Sequence, residues 1–493
     1  MLRPMLMKSF SSFRGRCVRH LGTAVLCVVL LGSSQASFAA SAGRQDAVAR
    51  QPVYSGQRPA ETADRPVAGK SIGMSDAVEH ALRFNPGLGA QEAESRSSEE
   101  GRKSARGAFG PLLGVSYSAT KTESKRDPSA TMGTKNPKMG VYSWGIEVTQ
   151  PIFQGFRLLS TYQKAALQAD SDKASLRKAE LDMTEQVQTA FLEYLKAGEN
   201  TRSMRDSLTR LREQLRIAQA YFEVGLSPRL DVLQAEVDVS EAERLLIEAE
   251  NTQATTLARL NTLLGFDATA VNTYTGTLKE VGFRYTLEQC LELAYRQRPD
   301  LYVAQKAVEI ARKSQKEVQS DYYPQIEGYY SMTQSGNTPG MQRSGENGSH
   351  VTNWEVGAQA TWNVFEWGTT YYADKQAGWQ VTKMRYEQEN LKLEVGYDIK
   401  SKYLAVQEAR KRIAVAQNSV AQATEAYNVA LARYHEHVGT NFDVLDASAN
   451  LTSAQSSLTG AKADYLTALS QIYVAMGEYH PDLLREGGAA RRK

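Results

Sequence analysis

Asp443 and Asp446 stand three residues apart at the start of a stretch with helical apolar spacing. At that spacing they share one helix face and can act together on an ion. Acidic side chains also favour a helix N-terminus, so capping their own helix is a second role open to the same residues. Asp231 is their counterpart earlier in the chain. No phosphate-binding glycine loop, zinc-ligand spacing or nucleophile–base constellation competes with them. His435 and His437 are two apart and point to different faces of a helix. The chemistry legible here is that of fixed charge rather than bond making. The expectation is of a protein that is not an enzyme and takes no cofactor and no metal.

The chain has 493 residues, 42% hydrophobic and 23% charged, with a formal net charge of +3 and a mean hydropathy of −0.45. Only one apolar run approaches spanning length, which excludes a polytopic helical membrane protein. The apolar content supports burial and argues against wholesale disorder. The weak net charge makes no electrostatic case for nucleic acid. Residues 1–40 read as a secretory signal peptide. Arg3, Lys8, Arg14, Arg16 and Arg19 lead without an acid among them, Leu21 to Leu31 is apolar, and small residues follow, with cleavage expected near Ala39 to Ala42. Loss of the leader takes the net charge from +3 to −2 and removes Cys17 and Cys27. Cys290 remains alone, so no intramolecular disulfide forms. Residues 41–70 are polar, with Pro52, Pro59 and Pro66, and read as a flexible periplasmic lead-in.

The mature chain is written twice. Ser75 to Leu82 aligns with Leu287 to Ala294, and Pro86 with Pro299 and Pro111 with Pro324 at an offset of 213 for both prolines. Phe153 aligns with Phe365, Asp231 with Asp443 and Gly265 with Gly477, at an offset of 212. The reading is a first repeat over 71–270, a linker over 271–284, a second repeat over 285–480 and a tail over 481–493.

Long helices must carry each repeat. Met204, Leu208, Leu211, Leu215, Ala218 and Phe222 alternate spacings of four and three, a coiled-coil period. Val444, Ala447, Leu451, Ala454, Leu458, Ala461, Tyr465, Ala468, Ile472 and Ala475 do the same. Such stripes are packing surfaces, and their alanines allow close approach. Phe156 to about Val224 contains no proline and only Gly198 as a weak breaker. A helix of that length runs ~100 Å, and two helices stacked near Gly198 would span the same distance. Gly368 to His437 repeats the pattern, with Gly378 and Gly396 as weak points.

Between the helices the period changes to two. Strands are expected near 111–121, 141–151, 324–334 and 352–363. Leu113, Val115, Tyr117 and Ala119 alternate with small or polar residues, as do Trp354, Val356, Ala358 and Ala360. Aromatic residues lie near the strand ends, and the loops of roughly 122–140 and 334–351 are long, which fits an outer-membrane barrel. Four strands cannot close in lipid, where open edges are forbidden. The smallest bacterial barrels have about eight strands, so several chains must contribute, and three would supply about twelve.

This duplicated helix–hairpin–helix–helix–helix plan resembles the TolC family of outer-membrane channel-tunnel proteins, over about Ser71 to Gly477. The carriers are Ala81-Leu82-Arg83-Phe84-Asn85-Pro86, Gln150-Pro151-Ile152-Phe153-Gln154-Gly155, Val224-Gly225-Leu226-Ser227-Pro228-Arg229-Leu230-Asp231 and Val438-Gly439-Thr440-Asn441-Phe442-Asp443-Val444-Leu445-Asp446. The resemblance implies a mainly α fold with a small β part, forming a homotrimer. A β-barrel in the outer membrane would continue into a long α-helical barrel across the periplasm. It also implies a gated, passive exit duct for an efflux pump or type I secretion system. A periplasmic adaptor protein and an inner-membrane ABC or proton-driven transporter would be its partners, with outer-membrane lipid around it.

Carried onto this sequence, the resemblance places Asp231, Asp443 and Asp446 at the periplasmic pore constriction. Three copies of Asp443 and Asp446 would form acidic rings about one turn (~5 Å) apart. Such rings attract cations and raise one another's pKa. The turns Val224, Gly225, Leu226, Ser227 and Val438, Gly439, Thr440, Asn441 become the adaptor-docking turns, each with glycine expected at a left-handed position. Measured from Gly439 to Asp443, the second connection is two residues shorter than Gly225 to Asp231. Asn441 stands where some family members carry a latching arginine, and Arg229 is the candidate substitute. The competing reading is a periplasmic coiled-coil adaptor without a pore of its own, and the cargo is left open.

Overall fold

Each half of the chain opens on a bent helix pair with proline just after the bend. α1 (Met74–Phe84) stops at Asn85, and α2 (Pro86–Gly107) restarts with Pro86 in its first position. Proline lacks an N–H that would be orphaned there anyway, and it forces the preceding residue into an extended conformation. Asn85 fastens the bend: its Oδ1 accepts from the Gly87 amide at 2.8 Å, and its Nδ2 donates to the Leu263 carbonyl at 2.8 Å. In the second half α5 (Leu287–Gln297) and α6 (Pro299–Gln319) meet at Arg298. Its guanidinium bonds Asp300 and reaches Asp398 at 2.8 Å. Burial works against that charge, but the bonds to Asp300 and Asp398 more than offset it and hold Arg298 above its ordinary pKa.

This is a computed structural model that describes residues 71–123, 138–336, 338–339, 350–480 and 483. The signal peptide, the lead-in to residue 70 and, apart from Leu483, the tail lie outside the described residues. A parallel pair of two-residue strands, β1 (Ser71–Ile72) and β4 (Thr273–Tyr274), ties the start of the first half to the linker.

The hairpins are β2 (Leu112–Glu123) with β3 (Lys138–Gln154), and β5 (Gln325–Gly336) with β6 (His350–Thr361). They form one antiparallel sheet of order β2-β3-β5-β6, leaving β2 and β6 as open edges. Leu112 faces Thr149 in the first hairpin and Gln325 faces Thr361 in the second. The hairpin register is thus duplicated at offsets of 213 and 212, as the alignment requires. β3 runs beyond the expected residue 151 because a bulge between Pro151 and Phe153 lets the strand pass a residue that cannot donate. β6 ends at Thr361, short of the expected 363.

α3 (Arg157–Glu223) and α7 (Thr369–His435) each have 67 residues, about 100 Å of continuous helix. Gly198, Gly378 and Gly396 do not interrupt them. A helical glycine costs only about 1 kcal/mol, which packing along such a length absorbs. α4 (Arg229–Leu264) and α8 (Asn441–Ala475) return antiparallel to them. The apolar stripe of α8 is the most buried: Val444, Leu451, Ala461, Tyr465 and Ile472 all lie in the interior.

The halves pack as one unit because α3 touches both α6 and α8 of the second half. The α3–α8 seam carries a polar ladder. Ser470 Oγ donates to Gln188 Oε1 at 2.6 Å, Ser456 Oγ to Asn200 Oδ1 at 2.9 Å, and Thr452 Oγ1 to Ser207 Oγ at 3.0 Å. Such bonds fix the register of a coiled coil that apolar stripes alone would leave free to slide.

α4 and α8 are both followed by a left-handed glycine, Gly265 (φ 78°) and Gly477 (φ 79°). A Cβ at Gly477 would lie 2.9 Å from the Gln297 carbonyl, and one at Gly265 2.9 Å from that of Phe84. Gly477→Ala is expected to cost about 2 kcal/mol of stability through strain and backbone collision together. Gly225 (φ 77°) has open space around it, so Gly225→Ala should cost only about 1 kcal/mol. Equal losses in thermal melts of the two variants would refute the collision.

Candidate functional site

The far ends of α3 and α7 hold the residues that the sequence singled out. The connections are 224–228 and 436–440, both five residues long, so the second is not shortened. The Leu226 amide donates to the Tyr221 carbonyl at 2.8 Å, and its counterpart Val438 donates to Arg433 at 2.9 Å. The turns therefore superpose at an offset of 212, which pairs Gly225 with His437 rather than with Gly439. The left-handed position of the second turn is His437 (φ 59°), not a glycine. Histidine is among the residues that tolerate this conformation, and its ring lies 5.0 Å from that of Tyr221 across the two turns.

The three aspartates are not equivalent. Asp443 is the third residue of α8 and closes a capping box: its Oδ2 accepts from the Thr440 amide at 3.0 Å, while its own amide donates to Thr440 Oγ1 at 3.2 Å. The bond from the Thr440 backbone holds its carboxyl below the usual range. This cap is fully present above the unfolded value near 3.9 and is lost as pH falls through the lowered one. Asp446, one turn on, is exposed and accepts from Asn450 Nδ2 at 3.0 Å. Asp231 caps nothing: Pro228 precedes α4 without a side-chain bond. Burial raises the Asp231 pKa.

Asn441 departs from the expectation of an adaptor-facing turn residue. It is the first residue of α8, is 1% exposed, and ties α8 to α3 and to the first turn of α4. Gln214 Nε2 donates to its Oδ1 at 2.7 Å, and its Nδ2 donates to the Asp231 carbonyl at 3.0 Å. Tyr434 packs on Tyr221, its hydroxyl buried without a hydrogen-bond partner among the described residues. Burial pushes that hydroxyl to about 12, and the Asp231 charge adds to the effect. The Gln214 half of this bridge was missed in the sequence. Its one signal was a polar residue wedged into the apolar stripe between Leu211 and Leu215.

Val224, Leu226 and Val438 are exposed at the turns, with Gly225 and Thr440. Ser227 and Gly439 are half-buried. Between α3, α4 and α8, next to the turns, lies a cavity of about 730 Å³, with Leu230, Val237 and Phe442 on its walls and Asp238, Glu241 and Asp446 among its polar groups. Burial raises the Asp238 pKa. Among the described residues no three histidine, cysteine or acidic side chains gather as a metal-ligand set, and no helix is long and apolar enough to cross a membrane.

The family described as "Outer membrane efflux protein" matches residues 77–266 and again 290–478, one match per half. The chain is 25% identical over 415 residues to the alkaline protease secretion protein AprF of Pseudomonas aeruginosa, covering 82% of this chain and 84% of the relative. It is 24% identical over 412 residues to the outer membrane protein TolC of Vibrio cholerae, covering 82% and 90%. The fold is that of the Campylobacter jejuni CmeC outer membrane channel, with a TM-score of 0.72 at 17% identity over 82% of this chain and 85% of that one.

Proposed function

Because the chain belongs to the outer membrane efflux protein family, we propose that it works as the passive, gated exit duct of a tripartite efflux pump or type I secretion system, assembled as a homotrimer. It is an outer-membrane channel protein that extends into the periplasm. It would carry out no bond chemistry, and it would take its cargo from a periplasmic adaptor and an inner-membrane ABC or proton-driven transporter. Relatives named for protease secretion and for efflux both match, so both transporter types stay within the proposal. A periplasmic adaptor without a pore is not favoured, because it leaves four amphipathic strands and the family match without a purpose.

One observation carries the assembly. Leu181 and Leu192 of α3 are 2% and 0% exposed, while their repeat partners on α7, Leu393 and Leu404, are 74% and 54% exposed. Own-half neighbours are duplicated, so the cover missing from α7 is what the other half supplies to α3, namely α6 and α8. Shifted by one repeat, those become α2 and α4 of a second copy. The matching gap is present on α4: Leu233 is 45% exposed where Leu445 of α8 is 6%. Head-to-tail contacts of this kind form rings when the rotation between copies closes, and closure would satisfy the open edges of β2 and β6 in the same step.

At the entrance, Asp443 and Asp446 from three copies would concentrate cations, with Asp231 near them in the other half. Val224, Leu226 and Val438 are the apolar turn residues on which an adaptor would seat. The prediction is that Asp443→Asn with Asp446→Asn lowers cation over anion preference in planar bilayers several-fold, with conductance otherwise retained. Unchanged reversal potentials in a salt gradient would remove these residues from the constriction.

A further inference from the structure

Tyr329 of β5 stands directly opposite Gly357 of β6. A strand side chain ordinarily rises perpendicular to its sheet. Tyr329 instead lies over its partner: a Cβ built at Gly357 would be 2.8 Å from the Tyr329 hydroxyl oxygen and 2.9 Å from its Cζ. The hydroxyl donates to Glu355 Oε1 at 2.6 Å, which tethers the ring at its far end. Glycine in a strand leaves backbone bare, and a ring from the opposite strand covers it.

The register fixes the face on which this pair sits. Val115, Ile146, Met332 and Trp354 form one row across the four strands, apolar throughout. Neighbouring residues on each strand point the other way. There the rows are Gly114, Glu147, Ser331 and Glu355, then Leu112, Thr149, Tyr329 and Gly357. In a membrane barrel lipid takes the apolar face and the lumen takes the polar one. The first half keeps the glycine and lacks the ring: at the repeat offsets, Gly145 stands opposite Ser116.

We propose that Tyr329 sets the bore of the barrel. This rests on the channel reading above and adds to it the residues that decide how wide a cargo passes. Laid over Gly357 and held by Glu355, three copies of the ring line the wall at one height and leave the lumen clear. Released, each ring swings to the perpendicular rotamer of a strand residue, and the three point toward the axis at the same level. What a Cβ at Gly357 meets is the far end of a rotatable side chain and not backbone. The ring therefore moves while the strands stay paired. Gly357 decides the width, and Tyr329 is the group that fills it.

Thiol reagents of graded size test this. Thr361 is exposed on the same face, four residues (about 13 Å) beyond Gly357 toward α7. Cys290 is buried and stays in place. Intact cells carrying the full-length Thr361→Cys protein are treated with maleimides bearing polyethylene glycol tails of rising length. Adding Gly357→Ala should shorten the longest tail that labels, and slow labelling by a tail near the parental limit roughly tenfold. Adding Tyr329→Ser to that chain should return the limit to the parental one or beyond. Gly145→Ala, opposite the small Ser116, should leave it unchanged. Glu355→Ala should shorten the limit, while Glu355→Gln, whose amide oxygen still accepts from Tyr329, should not. An unaltered limit with Gly357→Ala, when the shortest tail labels both proteins alike, would overturn the bore and leave the channel standing. A narrowed limit that persists with Tyr329→Ser would overturn it as well. Failure of the shortest tail to label Thr361→Cys in the parent would bring down the channel reading itself and the bore with it.

Discussion

Leu393→Glu combined with Leu404→Glu should leave a folded protomer that no longer assembles. Both side chains are exposed on α7 in the single chain, so the changes damage nothing within it. In a ring they would be buried against the next copy. Burying a leucine contributes about 2 kcal/mol. With two per seam and three seams, on the order of 10 kcal/mol of association is lost before the cost of burying carboxylates. Sedimentation of detergent-extracted protein should find monomers, and bilayers should show no conductance. Ala414→Glu is the control: Ala414 and its α3 counterpart Arg202 are both exposed, so trimers should persist. A trimer that tolerates the double change would show that the α7 face lies elsewhere than at a seam.

Asn441→Ala should loosen the entrance. The substitution strands the buried Gln214 amide and removes the donor to the half-buried Asp231 carbonyl. Each orphaned group costs about 1–3 kcal/mol. A loss of about 2 kcal/mol shifts a closed–open equilibrium by roughly thirtyfold. Single-channel recordings should show longer or larger openings without adaptor, at a voltage where the parent is nearly closed. Asn441→Asp should open it as well, because an ionised carboxylate still accepts from Gln214 but sets its charge against the Asp231 carbonyl instead of donating to it. Parental conductance in both variants would separate this bridge from gating and leave it a purely structural contact.

The duplication, the long helices and the four amphipathic strands were legible in the residues alone. Each rests on periodicity or on an offset between identical residue types, and both survive without any knowledge of tertiary neighbours. Pro86 and Pro299 announced the bent helix starts because proline acts through its own backbone. The role of Asp443 was half legible: a threonine three residues ahead of an acid at a helix start is a local signal, and the capping box is local chemistry.

What the sequence could not settle was decided by contacts between residues far apart in the chain. Matching Gly225 with Gly439 by type misplaced the second turn, because conformation there is set by the hydrogen bonds back to Arg433, and these put His437 in the left-handed position. Asn441 read as an exposed turn residue, and only the approach of Gln214 and Asp231 made it a buried bridge. Leu181 and Leu393 occupy equivalent repeat positions with the same side chain, yet one is interior and the other bare. A periodic pattern states which face of a helix must be covered, and only the packing of the whole chain states whether anything covers it.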